Sequence, residues 1–349
     1  MKTIVEKITK NQIEQEKIEA AARILKDGGL VAFPTETVYG LGADALNPEA
    51  SKRIYEAKGR PSDNPLIVHI ARFDDLKMIT KSIPENARIL GERFWPGPLT
   101  MIFEKNDKVP LETTGGLQTV AVRMPDHPIA LALIEASTGY IAAPSANTSG
   151  KPSPTLAEHV YQDMEGRIPM ILDGGAVGIG IESTIVDFSE EIPTILRPGY
   201  ITAEMIRDVI GEVQMDPGLS GMDESVKPKA PGMKYRHYAP QAELILVKGQ
   251  ENAVIEHINR LTEEAGKQGK RAGIIGTDET CGRYREGVVK SIGTRNNEET
   301  VAQHLYAILR EFDELNVDVI YSESFSTAGI GQAIMNRMLK AAGHRVIEV

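Results

Sequence analysis

Residues 58–69, KGRPSDNPLIVH, place two cations, a polar turn and an apolar strand next to one another in the chain. The segment GRPSDNP is rich in Gly, Pro, Ser, Asp and Asn, which predicts a loop. The following LIVHI predicts a buried strand that ends by presenting His69. Lys58 and Arg60 therefore lie on a loop that a strand holds in place, as a phosphate or carboxylate site requires. The alternative is an exposed Lys and Arg beside an ordinary turn, and this stretch alone does not decide between the two.

Helices and strands alternate on both sides of this stretch. Helical spacing predicts a helix at 14–27 that ends at Gly28-Gly29. Asn47-Pro48 predicts an N-cap and a first-turn proline, the start of a helix that carries Lys58 at its end. Ser153-Pro154 is interpreted in the same way. Further helices are predicted at 84–94 and from Pro128 to near Gly139, and strands at 30–33, 99–103 and 141–143, which together indicate a mixed α/β sheet.

The pattern changes after the first two hundred or so residues. Periodicity disappears from Gln214 to Lys229, which predicts a linker, and the motif PGMKYRHYAP at 231–240 follows. Beyond it, strands and helices alternate cleanly, as is typical of an open parallel sheet with helices on its faces. We therefore expect an α/β protein with a catalytic domain at 1–213, a linker or lid at 214–240 and a smaller α/β domain at 241–349.

Composition narrows the functional class. The chain has 349 residues, 41% of them hydrophobic and 25% charged, which is typical of a globular protein. No apolar run has the length of a membrane span, and the N-terminus does not resemble a signal peptide, so a cytoplasmic protein is expected. A single cysteine, Cys281, excludes an internal disulfide, and no Cys/His cluster has zinc spacing. The net charge of -10 argues against a general nucleic-acid coat protein.

Two familiar motifs can be set aside. YGLGADA has the glycine spacing of a dinucleotide fold, but the polar PTETV lies between the strand and the glycines, and no P-loop occurs in the chain. Ser145 lies in APSANTSG, which is not the G-x-S-x-G of a serine hydrolase and has no histidine partner by spacing.

Two arginines and two acids remain as candidates for chemistry. Arg123 and Arg197 lie on or beside strands in apolar company, which favours function because a buried guanidinium needs an anion. Glu36 and Glu182 are either a carboxylate pair or carboxylates in solvent or in salt bridges, the more common case.

Taken together, PTETVYGLG, KGRP with NPLIVH, VRMPDHP, PSANTSG, ESTIVD and LRPG resemble the motif series of the threonylcarbamoyl-AMP synthase (L-threonylcarbamoyladenylate synthase) family in order and spacing. The resemblance covers about residues 14–210 as a YrdC-like catalytic domain, and the linker motif and remaining chain resemble the two-domain form. It implies a YrdC-like twisted mixed sheet with helices and a second, Rossmann- or flavodoxin-like parallel sheet. It also implies condensation of L-threonine, bicarbonate and ATP to threonylcarbamoyl-adenylate with release of pyrophosphate.

The resemblance also implies residue roles. Catalysis is expected from Lys58, Arg60, Ser145 and Asn147. ATP would bind to these four and to Asn64, Thr119, Ser153, Arg197 and the lid residue Tyr238, for which Tyr235 is the alternative. L-threonine would bind to Thr37, His69, Arg123 and Ser183. Mg²⁺ would accompany ATP without a dedicated protein site.

The product would serve the N6-threonylcarbamoyl modification of adenosine 37 in tRNA, through transient contact with a transfer machinery. An affinity for RNA is part of this expectation, and binding to a membrane is not. The competing function is an RNA-binding module, which the acidic charge and the lack of interleaved aromatics disfavour. A third is a carbamoyltransferase acting on another acceptor, which the absence of zinc-finger cysteines disfavours.

Overall fold

The structure is a computed structural model that describes residues 1–220 and 237–349. Its helices are α1 Gln15–Lys26, α2 Pro48–Lys58, α3 Glu85–Phe94, α4 Pro128–Ala136, α5 Ala157–Met164, α6 Ala203–Ile210, α7 Glu251–Lys267, α8 Glu298–Glu314 and α9 Ile330–Ala341. Its strands are β1 Ile4–Lys7, β2 Val31–Phe33, β3 Gly40–Asp44, β4 Ile67–His69, β5 Leu99–Glu104, β6 Thr119–Arg123, β7 Ile141–Ala142, β8 Met170–Asp173, β9 Thr184–Asp187, β10 Thr194–Arg197, β11 Gln214–Met215, β12 Glu243–Lys248, β13 Ala272–Gly276, β14 Val288–Ser291, β15 Val319–Glu323 and β16 Val346–Glu348.

The chain divides into two compact units. The first contains Met1–Ser149, Ser153–Gly178 and the described residues from Glu182 to the gap. The second contains the described residues after the gap together with two short segments of the earlier chain, Gly150–Pro152 and Ile179–Ile181.

The first unit is built on a mixed sheet of eleven strands in the order β1-β8-β2-β3-β7-β4-β6-β5-β9-β10-β11. In its centre β4 runs parallel to β6, with Ile67 opposite Ala121 and His69 opposite Arg123. Strand β5 is antiparallel to β6 and places Thr100 opposite Arg123. The register therefore aligns three polar side chains from three strands in one row.

Alternation along the strands divides the apolar residues between the two faces of this sheet. One face packs on α2, α3, α5 and α6, with Ile54, Leu90 and Ile206 buried. Part of the other face packs on α1 and α4. The remaining part is a separate cluster whose described members all lie on strands; these residues, here called the strand floor, are Ile67, Ile102, Ala121, Ile185 and Leu196.

The second unit has a five-stranded, fully parallel sheet in the order β14-β13-β15-β12-β16. Its apolar core contains Val247, Ile258 and Ile274 from strands and a helix. The fold class expected from the sequence is confirmed: a mixed α/β sheet is followed by a smaller parallel one. The domain boundaries at 213 and 240 stay a prediction.

Two local expectations were wrong. No helix starts at Pro154: α5 begins at Ala157, and the Ser153 hydroxyl donates to Glu182 Oε1 at 2.6 Å. Gln214 and Met215, assigned to the linker, form β11 and pair with β10. The polar start of the chain also contains a strand, β1, that the sequence did not indicate. Most of the linker motif, including Tyr235, lies outside the described residues.

None of the helices described here is long and apolar enough to cross a membrane.

Candidate active site

Main-chain hydrogen bonds join the motif loops PTETVYGLG and PSANTSG in the first unit. Leu41 N donates to Pro144 O at 2.9 Å, and Ala146 N donates to Tyr39 O at 2.8 Å. Tyr39 N in turn donates to Pro154 O at 2.9 Å. Because these contacts use backbone atoms, they fix the loops while leaving their polar side chains for other partners.

Lys58 is the last residue of α2, and its side chain is directed by the way this helix begins and ends. Asn47 caps the start through its side-chain oxygen, and Gly59, at φ 61°, ends the helix in the left-handed conformation. The Lys58 ammonium is buried and donates to the main-chain oxygens of Ser145, at 2.5 Å, and of Asn147. Lys58 thus connects KGRP to PSANTSG.

The Ser145 and Asn147 side chains form a hydrogen bond with each other. Ser145 Oγ donates to Asn147 Oδ1 at 2.5 Å, and Asn147 Nδ2 donates to Thr148 O at 2.8 Å. An amide oxygen does not serve as a general base, so this pair lacks the base that activates a serine nucleophile. The arrangement instead presents a hydroxyl and an amide as hydrogen-bonding groups.

Arg60 and Asn64 are held within their own loop. Arg60 Nη2 donates to the main-chain oxygens of Asn64, at 3.3 Å, and Pro65, at 3.1 Å. Asn64 is buried, and its Oδ1 has no hydrogen-bond partner among the residues that the structure describes. A buried acceptor without a donor is costly unless a ligand supplies the donor.

Arg123, at the end of β6, contacts two separate parts of the chain, the PTETVYGLG motif and Gly97. Its Nη1 donates to Thr37 Oγ1 at 2.9 Å, and its Nε donates to Gly97 O at 3.4 Å. Nη2 lies 2.7 Å from Glu36 Oε2, an ion-pair distance, although the geometry is not that of a hydrogen bond. Arg123 and Glu36 are both largely buried.

His69 lies opposite Arg123 on the neighbouring strand and is buried. Its Nδ1 is 3.1 Å from Ile67 O, and its ring meets the Phe33 ring edge to face. Burial, with a contribution from the Arg123 charge, lowers the pKa of His69 from 6.5 to about 3. The imidazole is therefore neutral at physiological pH.

Ser183 and Arg197 form a second group at the same end of the sheet. Arg197 donates from Nε to Ser183 O at 3.0 Å and from Nη2 to Ser183 Oγ at 3.1 Å. The Ser183 hydroxyl also lies 2.7 Å from Thr100 Oγ1, and Thr100 is opposite Arg123. This network links the ESTIVD and LRPG motifs to the strand that carries Arg123.

The strand floor lies on the same face as His69 and Arg123, because Ile67 and Ala121 precede them by two positions on their strands. The apolar side chains of the strand floor thus lie beside the row formed by His69, Arg123 and Thr100. Such a surface, mostly apolar with a few directed polar groups, is typical of a small-molecule site.

The structure does not bring every expected residue into this group. Thr119 begins β6, roughly 13 Å along the strand from Arg123. Ser153 is buried against Glu182. Tyr238 belongs to the second unit, where its ring packs 5.2 Å from that of Tyr306.

Three neighbours of the expected residues were not assigned to a substrate from the sequence: Thr100, His127 and Glu36. Thr100 carries no motif, whereas His127 lies in VRMPDHP and Glu36 in PTETVYGLG, and these two motifs were the available signal. Glu36 pairs with Arg123, which is the salt-bridged alternative to a carboxylate pair.

Within residues 1–220 and 237–349 no cluster of His, Cys, Asp and Glu could hold a metal ion.

Comparisons with known proteins agree on one family. A family model described as "Telomere recombination" matches residues 23–199, and the model of the "Threonylcarbamoyl-AMP synthase, C-terminal domain" matches residues 201–343. The threonylcarbamoyl-AMP synthase of Bacillus subtilis is 55% identical, with 95% of this chain and 94% of that protein covered. The enzyme of the same name from Pyrococcus abyssi is 52% identical, with 97% and 98% covered. The crystal structure of P. abyssi Sua5 complexed with L-threonine aligns with a TM-score of 0.94 at 50% identity and covers 99% of each chain.

Proposed function

The chain belongs to the threonylcarbamoyl-AMP synthase family, and from this premise we propose that its first unit carries the catalytic site at the junction of the motif loops. The protein is an enzyme that makes threonylcarbamoyl-adenylate from L-threonine, bicarbonate and ATP, with release of pyrophosphate. The product serves N6-threonylcarbamoyladenosine synthesis in tRNA. The assignment of individual residues to this reaction is our proposal.

The chemistry matches the kind of groups in the site. The threonine amine takes up CO₂ derived from bicarbonate to give a carbamate, and a carbamate oxygen attacks the α-phosphorus while pyrophosphate leaves. This phosphoryl-transfer step depends on placement and on charge stabilisation more than on a protein nucleophile. The site offers buried cations, hydroxyls and amides, and its Ser145–Asn147 pair has no general base to activate the serine. Such groups are suited to that task.

ATP binds at the KGRP and PSANTSG side of the site in this proposal. Lys58 fixes the loop through two carbonyl groups, and Arg60 meets the phosphates. The Ser145 hydroxyl and Asn147 amide contact the transferring phosphoryl group, and the unpartnered Asn64 oxygen accepts from the nucleotide. The remaining proposed ATP contacts are Thr119, Ser153, Arg197 and, as a lid, Tyr238 or Tyr235.

L-threonine binds beside the strand floor. Arg123 meets the carboxylate with its guanidinium, since a planar fork matches a carboxylate in two hydrogen bonds. Thr37 and Ser183 contact the polar groups of the substrate, and neutral His69 closes the pocket. P. abyssi Sua5, which is 50% identical, has been crystallised with L-threonine.

Further parts of the proposal concern the setting of the reaction. Mg²⁺ would accompany ATP and, when bound, would supply positive charge at the leaving pyrophosphate. The enzyme acts in the cytoplasm and passes its labile product to a tRNA threonylcarbamoyl-transfer machinery by transient contact.

The observation that carries this proposal is the connection of Lys58, through two carbonyl groups, to the loop of Ser145 and Asn147. Arg60→Ala should abolish pyrophosphate release that depends on both threonine and bicarbonate, because the phosphates lose their cation. Arg88→Ala removes an exposed arginine that pairs with Glu85 and Glu92 and should leave release unchanged. Near-normal release by Arg60→Ala in a folded protein would remove KGRP from the phosphate site.

The same assay, run with and without added RNA, separates the competing functions. Release that needs threonine and bicarbonate but not RNA supports the adenylate reaction. RNA binding without pyrophosphate release would favour the binding module instead. Release with another acceptor in place of threonine would favour the carbamoyltransferase.

A further inference from the structure

We propose that Glu36 binds the ammonium group of the amino-acid substrate while Arg123 binds its carboxylate. The two residues would then bind both charged groups of an α-amino acid, so that binding would require the amine. This inference rests on the proposed function, which assigns the amino acid to the pocket of Thr37, His69, Arg123 and Ser183.

The first observation is a concentration of buried polar atoms that lack hydrogen bonds. Within the described residues, both carboxylate oxygens of Glu36, Nη2 of Arg123 and Nδ1 of His127 are buried and make no hydrogen bond, although Glu36 and Arg123 form an ion pair. Arg123 and His127 are each less than 5% exposed, and the Glu36 side chain is 12% exposed. Desolvated groups of this kind are costly, and such clusters call for a ligand that completes them.

The second observation concerns the acceptors beside the proposed substrate pocket. Thr37 Oγ1 accepts from Arg123 Nη1 and lies 2.9 Å from Thr35 Oγ1, which donates to Val38 O at 2.6 Å. The neighbouring Glu36 carboxylate accepts hydrogen bonds and donates none. A substrate group that meets Glu36 must therefore be a donor.

The charges give the third argument. Arg123 and Glu36 together are neutral, and so is a zwitterionic amino acid. A carboxylate alone would leave Glu36 buried beside a second anion, while a zwitterion supplies an ammonium for Glu36 and a carboxylate for Arg123.

The competing explanation is that Glu36 only positions Arg123. The two explanations differ for a ligand that has the carboxylate and hydroxyl of threonine but no amine, which is 3-hydroxybutanoate. If Glu36 positions Arg123, its loss weakens both ligands. If Glu36 binds the ammonium, its loss weakens threonine alone and removes a repulsion from 3-hydroxybutanoate.

The experiment measures dissociation constants for L-threonine and 3-hydroxybutanoate by ligand-observed NMR titration of the full chain without ATP. Glu36→Gln should weaken threonine binding by about tenfold or more and leave 3-hydroxybutanoate binding unchanged or tighter. Glu92→Gln, an exposed acid in an ion pair with Arg88, is the matched control and should bind both as the wild type does. Glu36→Asp keeps the charge and should partly restore the preference; it also serves as the test if Glu36→Gln does not fold.

Two results would overturn the inference alone: unchanged threonine affinity in Glu36→Gln, or an equal loss for both ligands. If the wild type neither binds threonine nor releases pyrophosphate with it, the proposed function fails, and the inference fails with it.

Discussion

At the residue scale, the buried side chains show which groups are set for chemistry and which for stability. Arg123, at the end of β6, is a buried cation. Its partners are Glu36 and Thr37 of PTETVYGLG and the main-chain oxygen of Gly97. Burying a charge is favourable only when partners are fixed around it, so each of those loops must be in place before the guanidinium can be. The position of the Arg123 guanidinium therefore depends on the folding of the loops that carry its partners, and the site in turn depends on Arg123.

The neutral histidines predict a loss of stability in mild acid. Burial lowers the pKa of His127 from 6.5 to about 4, with Lys10 acting in the same direction and Glu36 against it. Below about pH 6.5 the unfolded chain takes up a proton that the folded chain does not, so stability falls as the pH drops from 6.5 towards 4. At pH 5.5 this costs about 1.4 kcal/mol for His127, and His69 adds a similar amount.

Urea unfolding of the wild type and His127→Asn at pH 7.5 and 5.5 tests this prediction. The variant should lose about 1 kcal/mol less between the two pH values, whatever its stability at pH 7.5. His344 is exposed in the left-handed backbone region that Asn tolerates, so His344→Asn should keep the wild-type dependence. An identical pH dependence in all three proteins would contradict the expected neutral, buried state of His127.

At the element scale, α2 shows how a helix can be placed in order to deliver one side chain. Asn47 accepts from the backbone at its start, proline occupies the first turn, and Gly59 reverses the chain directly after Lys58. The same local signature at Ser153-Pro154 does not start a helix: α5 begins at Ala157, and the Ser153 hydroxyl donates to Glu182 Oε1. A capping signal by itself therefore does not fix where a helix begins.

The glycine after α2 should matter more for function than for stability. An alanine Cβ at Gly59 would meet no atom of the described part of the chain within 4 Å, so the cost of Gly59→Ala arises from its φ of 61° and is about 1 kcal/mol. Because Gly59 joins Lys58 to Arg60, relief of that strain would shift the two cations. We expect the KM for ATP to rise several-fold, as measured by initial rates of pyrophosphate release.

Gly139→Ala is the matched control for this change. Gly139 has a φ of 82° and equally open surroundings, but it follows α4 and contributes no expected site residue. It should lose similar stability with an unchanged KM for ATP. Equal effects of both substitutions on KM would show that the backbone at Gly59 does not position the cations.

At the scale of the whole molecule, the second unit is discontinuous in sequence. Gly150–Pro152 and Ile179–Ile181 belong to it by contact, although they precede its main part by many residues. Buried Arg310 donates from Nε, at 3.2 Å, and from Nη2, at 2.6 Å, to Pro152 O. The main chain of Gly150–Pro152 thus supplies a hydrogen-bond acceptor for Arg310, a buried cation of the second unit.

Gly180 provides a test of this dependence. An alanine Cβ there would lie 2.5 Å from both Ala302 O and the Cα of Gln303, and its φ of 86° disfavours any side chain. Because backbone atoms of α8 cannot move aside cheaply, Gly180→Ala should destabilise the second unit by about 2–4 kcal/mol. Differential scanning calorimetry should show the corresponding transition at a lower temperature.

The control lies close by in the chain. Gly175 belongs to the first unit and has a φ of 81°, and an alanine Cβ there would meet no atom of the described residues within 4 Å, so Gly175→Ala should cost only about 1 kcal/mol and leave the second unit's transition in place. An unchanged second-unit transition in Gly180→Ala would show that the fit of Ile179–Ile181 against α8 does not contribute to that unit's stability.

The sequence by itself determined the fold class, most helices and strands and the family, because these depend on local periodicity, capping residues and short motifs. It also placed Lys58 at the end of a helix and His69 at the end of a strand, as the structure has them. The assignment of site residues to substrates stays a prediction, tested by the experiments above.

Only the tertiary structure decided which distant groups meet. The alignment of His69, Arg123 and Thr100 follows from strand register, and the pairing of Glu36 with Arg123 joins residues from distant parts of the chain. The Ser153 hydroxyl contacts Glu182 rather than a helix start for the same reason. Local sequence specifies backbone conformation and burial, whereas the partner of a buried polar group is set by long-range packing, which no local pattern encodes.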